Sequence, residues 1–502
     1  MTVPQIGTAP AQRLIQPCVL GACLYAGLLV MGNRMLADPD TYWQIAIGRW
    51  ILDTGSFPRT DVFSFTMHGQ PWISTQWLAQ VCYAVAFSLA GWAGPVVLAA
   101  ASIAGAFALL AWFIGRRLDT LTALILLMAA IAIASPHFLV RPHVLAMPVM
   151  VAWVAGLILA ADRGETPSFW LLPLMTLWAN LHGSYVFGLF LIGAIALDAV
   201  LNVEAPARVR LLLRWFVFGL IALAASCITP YGFDALLAAR NILNLGAALA
   251  LITEWRPMNF SRVGAFEVCL LLGLGTALLK GLTLPPMRIV IMLGLLHMAL
   301  SHVRNATVLA LLLPIILATP LAAQLGKRSD DTELPLGQWV SWRQRIAVSA
   351  AAVLILGMTV YALAADRYRP AANVTPAAAV AILKKNHAQR VFNDYDFGGY
   401  MISQGMAPFI DGRTELYGEK FVVDHYAAYE MRDPAIFFAL LERYKIDATL
   451  LRRRAPAAQV LDQVDGWRKI FIDDYVVVHV RDADARHSVE PQVKPEVKPA
   501  SN

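Results

Sequence analysis

The chain has 502 residues, 58% of them hydrophobic and only 15% charged, with a mean hydropathy of +0.59. Soluble chains carry about a quarter charged residues, so an ordinary soluble enzyme is excluded, as are a collagen, a disulfide scaffold and a wholly disordered protein. The net charge of +6 is not gathered into a basic face. Its densest run, Arg452-Arg453-Arg454, is too short for a nucleic-acid surface. Cys18, Cys23, Cys82, Cys227 and Cys269 all lie in apolar stretches, with neither disulfide nor metal spacing.

A membrane-spanning helix needs about 20 apolar residues. Runs near 17–36, 93–115, 119–135, 143–161, 168–181, 184–201, 211–228, 263–280, 286–302, 305–324 and 346–364 read as eleven spans. The first is longer than the apolar core of a signal peptide and lacks a small-residue cleavage site, so it reads as retained. The stretch 75–90 is short and bounded by Gly91 and Gly94, which suits a helix lying at the interface. With the N-terminus inside, Arg116, Arg117, Arg163, Arg208, Arg210, Arg214, Lys280, Arg288, Lys327, Arg328, Arg343 and Arg345 all fall on the cytoplasmic side. That is the pattern of the positive-inside rule.

This orientation gathers polar loops on the opposite face: Ala37–Asp40, His137–His143, Asn180–Gly183, Thr229–Gly232, Glu254–Pro257 and His302–Asn305. Ionisable groups at a bilayer are costly and mark function. The first outer loop, 37–75, opens with a helical pattern in YWQIAIGRWILDTG and continues extended through FPRTDVFSFTMHGQPW. Residues 325–345 read as a cytoplasmic linker and 346–364 as the last span. Residues 370–485 alternate strand-like runs (RVFNDY, PFIDG, DATLL, RKIFI, YVVVHV) with helical ones, the signature of a small α/β domain. The Pro/Lys/Glu-rich 486–502 reads as a disordered tail. The expected fold is an α-helical polytopic membrane bundle, residues 1–324 and the last span, with a small C-terminal extracytoplasmic α/β domain.

Asp38 and Asp40 sit where the first span ends. A carboxylate beside aromatic residues can act as a general base, while Asp40, directly before a helix, is also a natural N-cap. Arg141, between His137 and His143, offers a guanidinium fork suited to phosphate oxygens; Arg304, flanked by His302 and Asn305, offers another. Asn180 and His182 in WANLHG suit either a ligand or a helix-to-helix hydrogen bond. Glu254 reads as an ion pair with Arg256 on its own loop. The acidic residues could hold a divalent cation, but no ligand spacing argues for one. GxGxxG, Walker A, HExxH and CxxC motifs are absent, so no soluble-type cofactor is implied.

The segments ADPDTYWQIAIGRWILDTG, FPRTDVFSFT, GQPWISTQWL and SPHFLVRPH resemble the polyprenyl-phosphate-dependent glycosyltransferases of the GT-C class, such as protein mannosyltransferases and lipid A aminoarabinose transferases. DPD, WxNLHG, PYG, EW, HxRN and GGY…DGR are shared more closely with a group of bacterial membrane proteins. The resemblance implies an inverting transfer at the outer face of the bacterial inner membrane. A sugar on a polyprenyl phosphate would pass to an envelope glycan, lipid or protein acceptor. Asp38 or Asp40 would be the base, and Arg141 and Arg304 the phosphate ligands, in a site shared with His137, His143, Asn180, His182, Glu254 and His302. The resemblance implies partners in membrane lipids and the lipid-linked sugar, with no nucleic acid. Gln44 and Gln76 stand where related chains carry His and Glu, which keeps a non-catalytic partner in polysaccharide assembly as an alternative. A lipid or solute transporter is the other alternative, and it calls for charges at the bilayer midplane.

Overall fold

The computed structural model describes residues 12–243, 245–325 and 342–482. The tail 486–502 and residues 326–341 of the linker lie outside the described residues, and 342–345 belong to a helix. The chain divides into two compact units, one of residues 1–60 and 70–371, the other of residues 61–69 and 372–502.

The first unit is helical. Its helices are α1 (Gln12–Val30), α2 (Gly32–Met35), α3 (Asp40–Thr54), α4 (Trp77–Ala90), α5 (Ala93–Gly115), α6 (Thr120–Ala134), α7 (Pro142–Asp162), α8 (Leu172–Leu181), α9 (Tyr185–Leu201), α10 (Ala205–Ser226), α11 (Asp234–Leu243), α12 (Ala265–Lys280), α13 (Pro286–Ser301), α14 (Ala306–Gln324) and α15 (Trp342–Ala364). Each run read as a span from the sequence overlaps one of these helices, except 17–36, which is split between α1 and α2 at Met31. Among the described residues, six helices are long and apolar enough to cross a membrane. Those at 17–30, 77–90, 169–181, 185–201 and 286–301 are apolar but shorter.

Local chemistry sets several helix ends. The Asp119 carboxylate accepts the N–H groups of Leu121 (3.0 Å) and Thr122 (3.2 Å) and starts α6. Gly55, at φ 62°, closes α3 in the left-handed conformation and returns its N–H to Ile51 O. Helix α7 is apolar on all sides and buried, and it packs on α5, α8, α9 and α14. Helices α3 and α4 cross at Gly48, where a Cβ would stand 2.0 Å from Gln80 O.

The far end of α7, about 30 Å from Pro142 at ~1.5 Å per residue, carries a buried ion network. Arg288, 3% exposed, donates to Asp162 Oδ1 (2.6 Å), Asp198 Oδ2 (2.5 Å) and Ile316 O (2.9 Å). Thr319 donates to Asp162 Oδ2 (2.7 Å). Arg288, counted from the sequence among the basic residues of the cytoplasmic side, is buried and fully paired. It ties α13 to α7, α9 and α14.

The second unit holds a four-stranded sheet in the order β1-β2-β4-β3, from Val391–Asn393, Ala448–Arg452, Val476–Arg481 (β4) and Trp467–Ile472 (β3). Strands β1 and β2 are parallel and the other pairs antiparallel. Helices α16 (Ala377–Lys385), α17 (Gly398–Ser403), α18 (Thr414–Tyr429), α19 (Pro434–Arg443) and α20 (Pro456–Leu461) complete it. Of the runs expected as strands, PFIDG is not one. The Asn393 side chain takes its backbone instead, accepting from Phe409 N–H (2.7 Å) and donating to Ile410 O (2.8 Å).

Residues 61–69, from the first long loop, belong to this unit. Asp61, Asp411 and Arg413 are all fully buried. Arg413 donates to Asp61 Oδ1 (2.5 Å) and bidentately to Asp411 (2.8 and 2.7 Å), and Tyr417 donates to Asp411 (2.7 Å). Burial pushes the Asp61 pKa up, but the Arg413 charge and the hydrogen bonds of Ser64, Arg413 and Phe63 outweigh it, leaving the carboxyl below its ordinary range.

Candidate active site

The site is built at the N-terminal end of α7. The residues before that helix are strapped to α2, to the start of α3 and to α4. Val140 N–H donates to Met35 O (2.8 Å), Thr41 Oγ1 to Val140 O (2.9 Å) and Tyr83 OH to Arg141 O (3.0 Å). Arg141 itself is extended (φ −136°, ψ 155°), and Pro142 opens the helix with its fixed φ. This geometry places the Arg141 side chain beside the DPD turn.

One guanidinium there holds three carboxylates. Arg141 Nη2 lies 2.6 Å from Asp40 Oδ2, and Nη1 lies 2.9 Å from Glu254 Oε2 and 3.3 Å from Asp38 Oδ2. Asp40 Oδ1 accepts the Trp43 indole N–H (2.9 Å), one turn along α3. Asp40 is not the N-cap: that position is Pro39, without a side-chain capping bond, and Asp38 Oδ1 accepts the Asp40 N–H (2.8 Å) across the turn. Asp40 becomes the first residue of the helix, so its carboxylate is directed elsewhere. The Glu254–Arg256 pair expected on one loop is not formed: Arg256 donates to Ala250 O (3.1 Å) and Leu251 O (3.3 Å), and Glu254 reaches Arg141. Arg256 is the exposed partner, whereas Arg141 is sheltered and already carries two carboxylates in the same pocket.

Burial is the largest influence on Asp40 and raises its pKa. Arg141 opposes that, Asp38 reinforces it, and the carboxyl is pushed up to about 8. Glu254 is raised by burial too, but Arg141 and Arg304 prevail and bring it down to about 2. Burial works against the charge on Arg141, yet Asp38, Glu254 and Asp40 hold its pKa well above the ordinary value. Two carboxyls beside one guanidinium are thus driven apart, one fully ionised and one poised near neutrality.

Arg304 lies 4.5 Å over the Trp255 ring and senses the charges of Glu254, Arg141 and Asp40. Among the described residues it forms no ion pair. The two loops that carry it and Glu254 are fastened together: Met258 N–H donates to Leu300 O (2.9 Å), Val303 N–H to Arg256 O (3.0 Å), and His302 Nδ1 to Trp255 O (2.7 Å).

His143 and His182 face each other with ring centroids 6.1 Å apart. His143 Nε2 donates to His137 O (3.2 Å). His182 Nδ1 accepts from Ser184 N–H (3.2 Å) and the Ser184 hydroxyl (2.8 Å), so its proton sits on Nε2. Burial, with His143, Arg304 and Arg141 nearby, holds the His182 pKa well below its ordinary value. Among the described residues, His137 Nδ1 is buried without a hydrogen-bond partner.

The structure therefore brings Asp38, Asp40, Arg141, Glu254 and Arg304 into one charged cluster, with His137, His143 and His182 beside it. Asn180 and His302 are fasteners. Asn180 spends its amide on Thr176 O (2.7 Å) and Ile228 O (2.9 Å), and its oxygen on Trp77 Nε1 (2.7 Å). A mostly apolar cleft of about 470 Å³, lined in part by Trp77, Leu177, Asn180 and Pro230, opens there. From the sequence Trp43 reads only as an interfacial aromatic and Trp255 only as part of the EW motif, neither of them as a partner of the charged cluster. Their spacing, three residues after Asp40 and next to Glu254, was the available signal. Gln80 was silent, and Gln44 was noted only as standing where related chains carry His: Gln80 donates to Gln44 Oε1 (2.8 Å) and accepts from Ser74 Oγ (2.7 Å), locking α4 to α3. Among the described residues, no group of three His, Cys, Asp or Glu side chains is arranged to hold a metal ion.

No family model and no curated protein matches the chain. Solved structures do. The oligosaccharyltransferase AglB from Archaeoglobus fulgidus, in complex with an inhibitory peptide and a dolichol-phosphate, superposes with a TM-score of 0.53 at 11% identity, over 88% of this chain and 69% of that one. Its apo form gives 0.52 at 12% identity, over the same shares. ArnT from Cupriavidus metallidurans, bound to undecaprenyl phosphate, gives 0.50 at 14% identity, over 93% of this chain and 98% of that one. A polytopic helical bundle with a small C-terminal sheet, aligned with these proteins over most of its length, has the fold of the GT-C membrane glycosyltransferases.

Proposed function

We propose that the chain is a membrane glycosyltransferase that moves a sugar from a polyprenyl-phosphate carrier to a hydroxyl acceptor on an envelope glycan, lipid or protein. The reaction takes place at the outer face of a bacterial inner membrane. The observation that carries this reading is the grip of Arg141 on Asp38, Asp40 and Glu254 next to Arg304, a second guanidinium that forms no ion pair among the described residues.

Each half of that arrangement suits one half of the reaction. Asp40, buried and tied by Arg141 and Trp43, is a fixed carboxylate able to take the acceptor proton. Arg141 aims the base and is occupied in doing so. Arg304 faces the anion that forms as the sugar–phosphate bond breaks, where a preorganised cation is worth most. His182, with its proton on Nε2, adds a ring N–H donor. AglB and ArnT are recorded with a dolichol-phosphate and with undecaprenyl phosphate respectively. The apolar cleft beside Trp77 gives a carrier chain a surface to lie on.

A profile of envelope glycans and lipid-linked sugars, taken in a deletion strain and after complementation, tests the reading. Loss of one glycan decoration, with its sugar-lipid accumulating and both reversed by the wild-type gene, is the expected result. An unchanged profile, or a sugar-lipid trapped on the cytoplasmic leaflet, would sink it and favour an assembly partner or a flippase.

A further inference from the structure

We infer, on the strength of the transferase reading, that His143 and His182 form a subsite for one neutral hydroxyl group of a substrate, and that Ser184 is the positioning residue that keeps His182 ready for it. The ring protons are placed by their partners. A backbone N–H only donates, so the Ser184 N–H, 3.2 Å from His182 Nδ1, makes that nitrogen an acceptor. The Ser184 hydroxyl takes the Trp178 indole N–H (2.9 Å) and turns its own hydrogen to the same Nδ1 (2.8 Å). Trp178 is fully buried, and its ring lies so close to Gly188 that a Cβ there would stand 2.4 Å from Cζ3. Gly188 O in turn accepts the Trp153 indole N–H (3.1 Å). The tautomer of His182 is thus set from the core of the bundle, with its proton on Nε2. His143, Arg304 and Arg141 act against a charge on this ring and Glu254 alone acts for it, so the ring stays neutral.

His143 is fixed to the complementary role. Its Nε2 lies 3.2 Å from His137 O, and a carbonyl only accepts, so the proton is on Nε2 and the neutral ring keeps a lone pair on Nδ1. Among the described residues neither His143 Nδ1 nor His182 Nε2 has a hydrogen-bond partner, and neither is a buried orphan as His137 Nδ1 is. One acceptor and one donor are therefore left on two rings whose centroids lie 6.1 Å apart at 64°. Two hydrogen bonds of about 2.9 Å that meet tetrahedrally at one oxygen span about 4.7 Å, within reach of rings at that spacing. A hydroxyl gives and takes a hydrogen bond at one oxygen, and fits. An ammonium cannot accept from Nε2–H; a phosphate oxygen has no hydrogen for Nδ1 and finds a better partner in a guanidinium. The hydroxyl belongs either to the sugar on its carrier or to the acceptor, and the chemistry is the same.

The test uses the full-length protein in nanodiscs, labelled with nitrogen-15 histidine, with His143→Gln and His182→Gln to assign the resonances. At pH 7 each ring should show one protonated and one unprotonated nitrogen, with the His182 proton on Nε2. Ser184→Ala, at a wild-type melting temperature, should move the His182 Nδ1 resonance towards the protonated position, and Ser184→Thr should bring it back; an unmoved resonance overturns the role given to Ser184. Three probes are then added separately: the sugar-lipid purified from the deletion strain, that strain's undecorated envelope extract, and undecaprenyl phosphate, which has no sugar. Whichever of the first two carries the hydroxyl should move His143 Nδ1 and His182 Nε2 together, and His182→Phe should weaken its binding by about tenfold. Undecaprenyl phosphate should move neither. A His182 protonated on Nδ1 or on both nitrogens, a shift of both by undecaprenyl phosphate, or binding of the first two probes with either nitrogen unmoved overturns the inference and leaves the transferase reading standing. Binding of none of the three overturns both.

Discussion

Gly48 offers a test of positioning separate from chemistry. A Cβ there would stand 2.0 Å from Gln80 O and 2.9 Å from Ala84 Cβ, against ordinary contact from 3.4 Å upward. The obstacle is helix backbone in a close-packed crossing, so a shortfall of about 1.4 Å must be met by parting α3 from α4. Gly48→Ala therefore strains the Gln44–Gln80 hydrogen bond one turn earlier and tilts the turn that carries Asp40. Overpacking costs about 1–3 kcal/mol of stability, whereas a displacement of about 1 Å at a reacting group costs about a hundredfold in rate. Transfer per molecule in complemented membranes should fall much further than the melting temperature. Gly105→Ala, on α5 with nothing within 4 Å of the new methyl, is the control and should be silent. Full transfer by Gly48→Ala would refute the claim that this crossing places Asp40.

Other perturbations separate the parts of the account. Asp61→Ala leaves Arg413 paired with Asp411 but strips its Nη1 of a partner in a fully buried site, and should cost about 1–3 kcal/mol in the second unit, read by urea-dependent proteolysis of residues beyond 372. Arg288→Gln leaves Asp198 and Asp162 short of a partner and should lower the melting temperature of the bundle while leaving transfer per folded molecule unchanged. The pH profile follows from Asp40: as a base it must lose its proton, so transfer should rise with pH and level off above about 8. Linkage has the opposite sign. A carboxyl raised from 3.8 to about 8 makes the fold less stable as pH climbs between those values, and Asp40→Asn should flatten that slope. Glu254, brought from 4.5 to about 2, adds stability above its unfolded value that is lost as pH falls toward 2.

Much of the bundle was legible because membrane helices announce themselves by length and apolarity, as in 93–115 and 143–161. The polar clusters DPD, RPH, EW and HVRN were legible as a group because charges beside apolar runs are rare. Their pairing was not. Nothing in the spacing of Glu254 and Arg256 says that the carboxylate will cross to Arg141, since that choice depends on which guanidinium is sheltered. Arg288 reads from the sequence as one more basic residue of the cytoplasmic side for the same reason: its partners Asp162 and Asp198 lie far away in sequence. The PFIDG run carries the apolar pattern of a strand, and only the Asn393 side chain, which imitates a neighbouring backbone, explains why it forms none. Assignment of residues 61–69 to the second unit rests on the buried Asp61–Arg413 pair, which hydropathy cannot register.

The most direct test of the catalytic claim is complementation of the deletion strain by wild type, Asp38→Asn, Asp40→Asn and the double variant, at matched membrane levels, with envelope glycans and lipid-linked sugars quantified. Asp40→Asn keeps the size of the side chain and its contacts with Trp43 and Arg141 in reach, yet removes the proton acceptor. The account predicts that Asp40→Asn and the double variant leave the acceptor undecorated and the sugar-lipid accumulated, while Asp38→Asn retains partial transfer. Full restoration by the double variant would contradict it, and would reduce both carboxylates to anchors for Arg141.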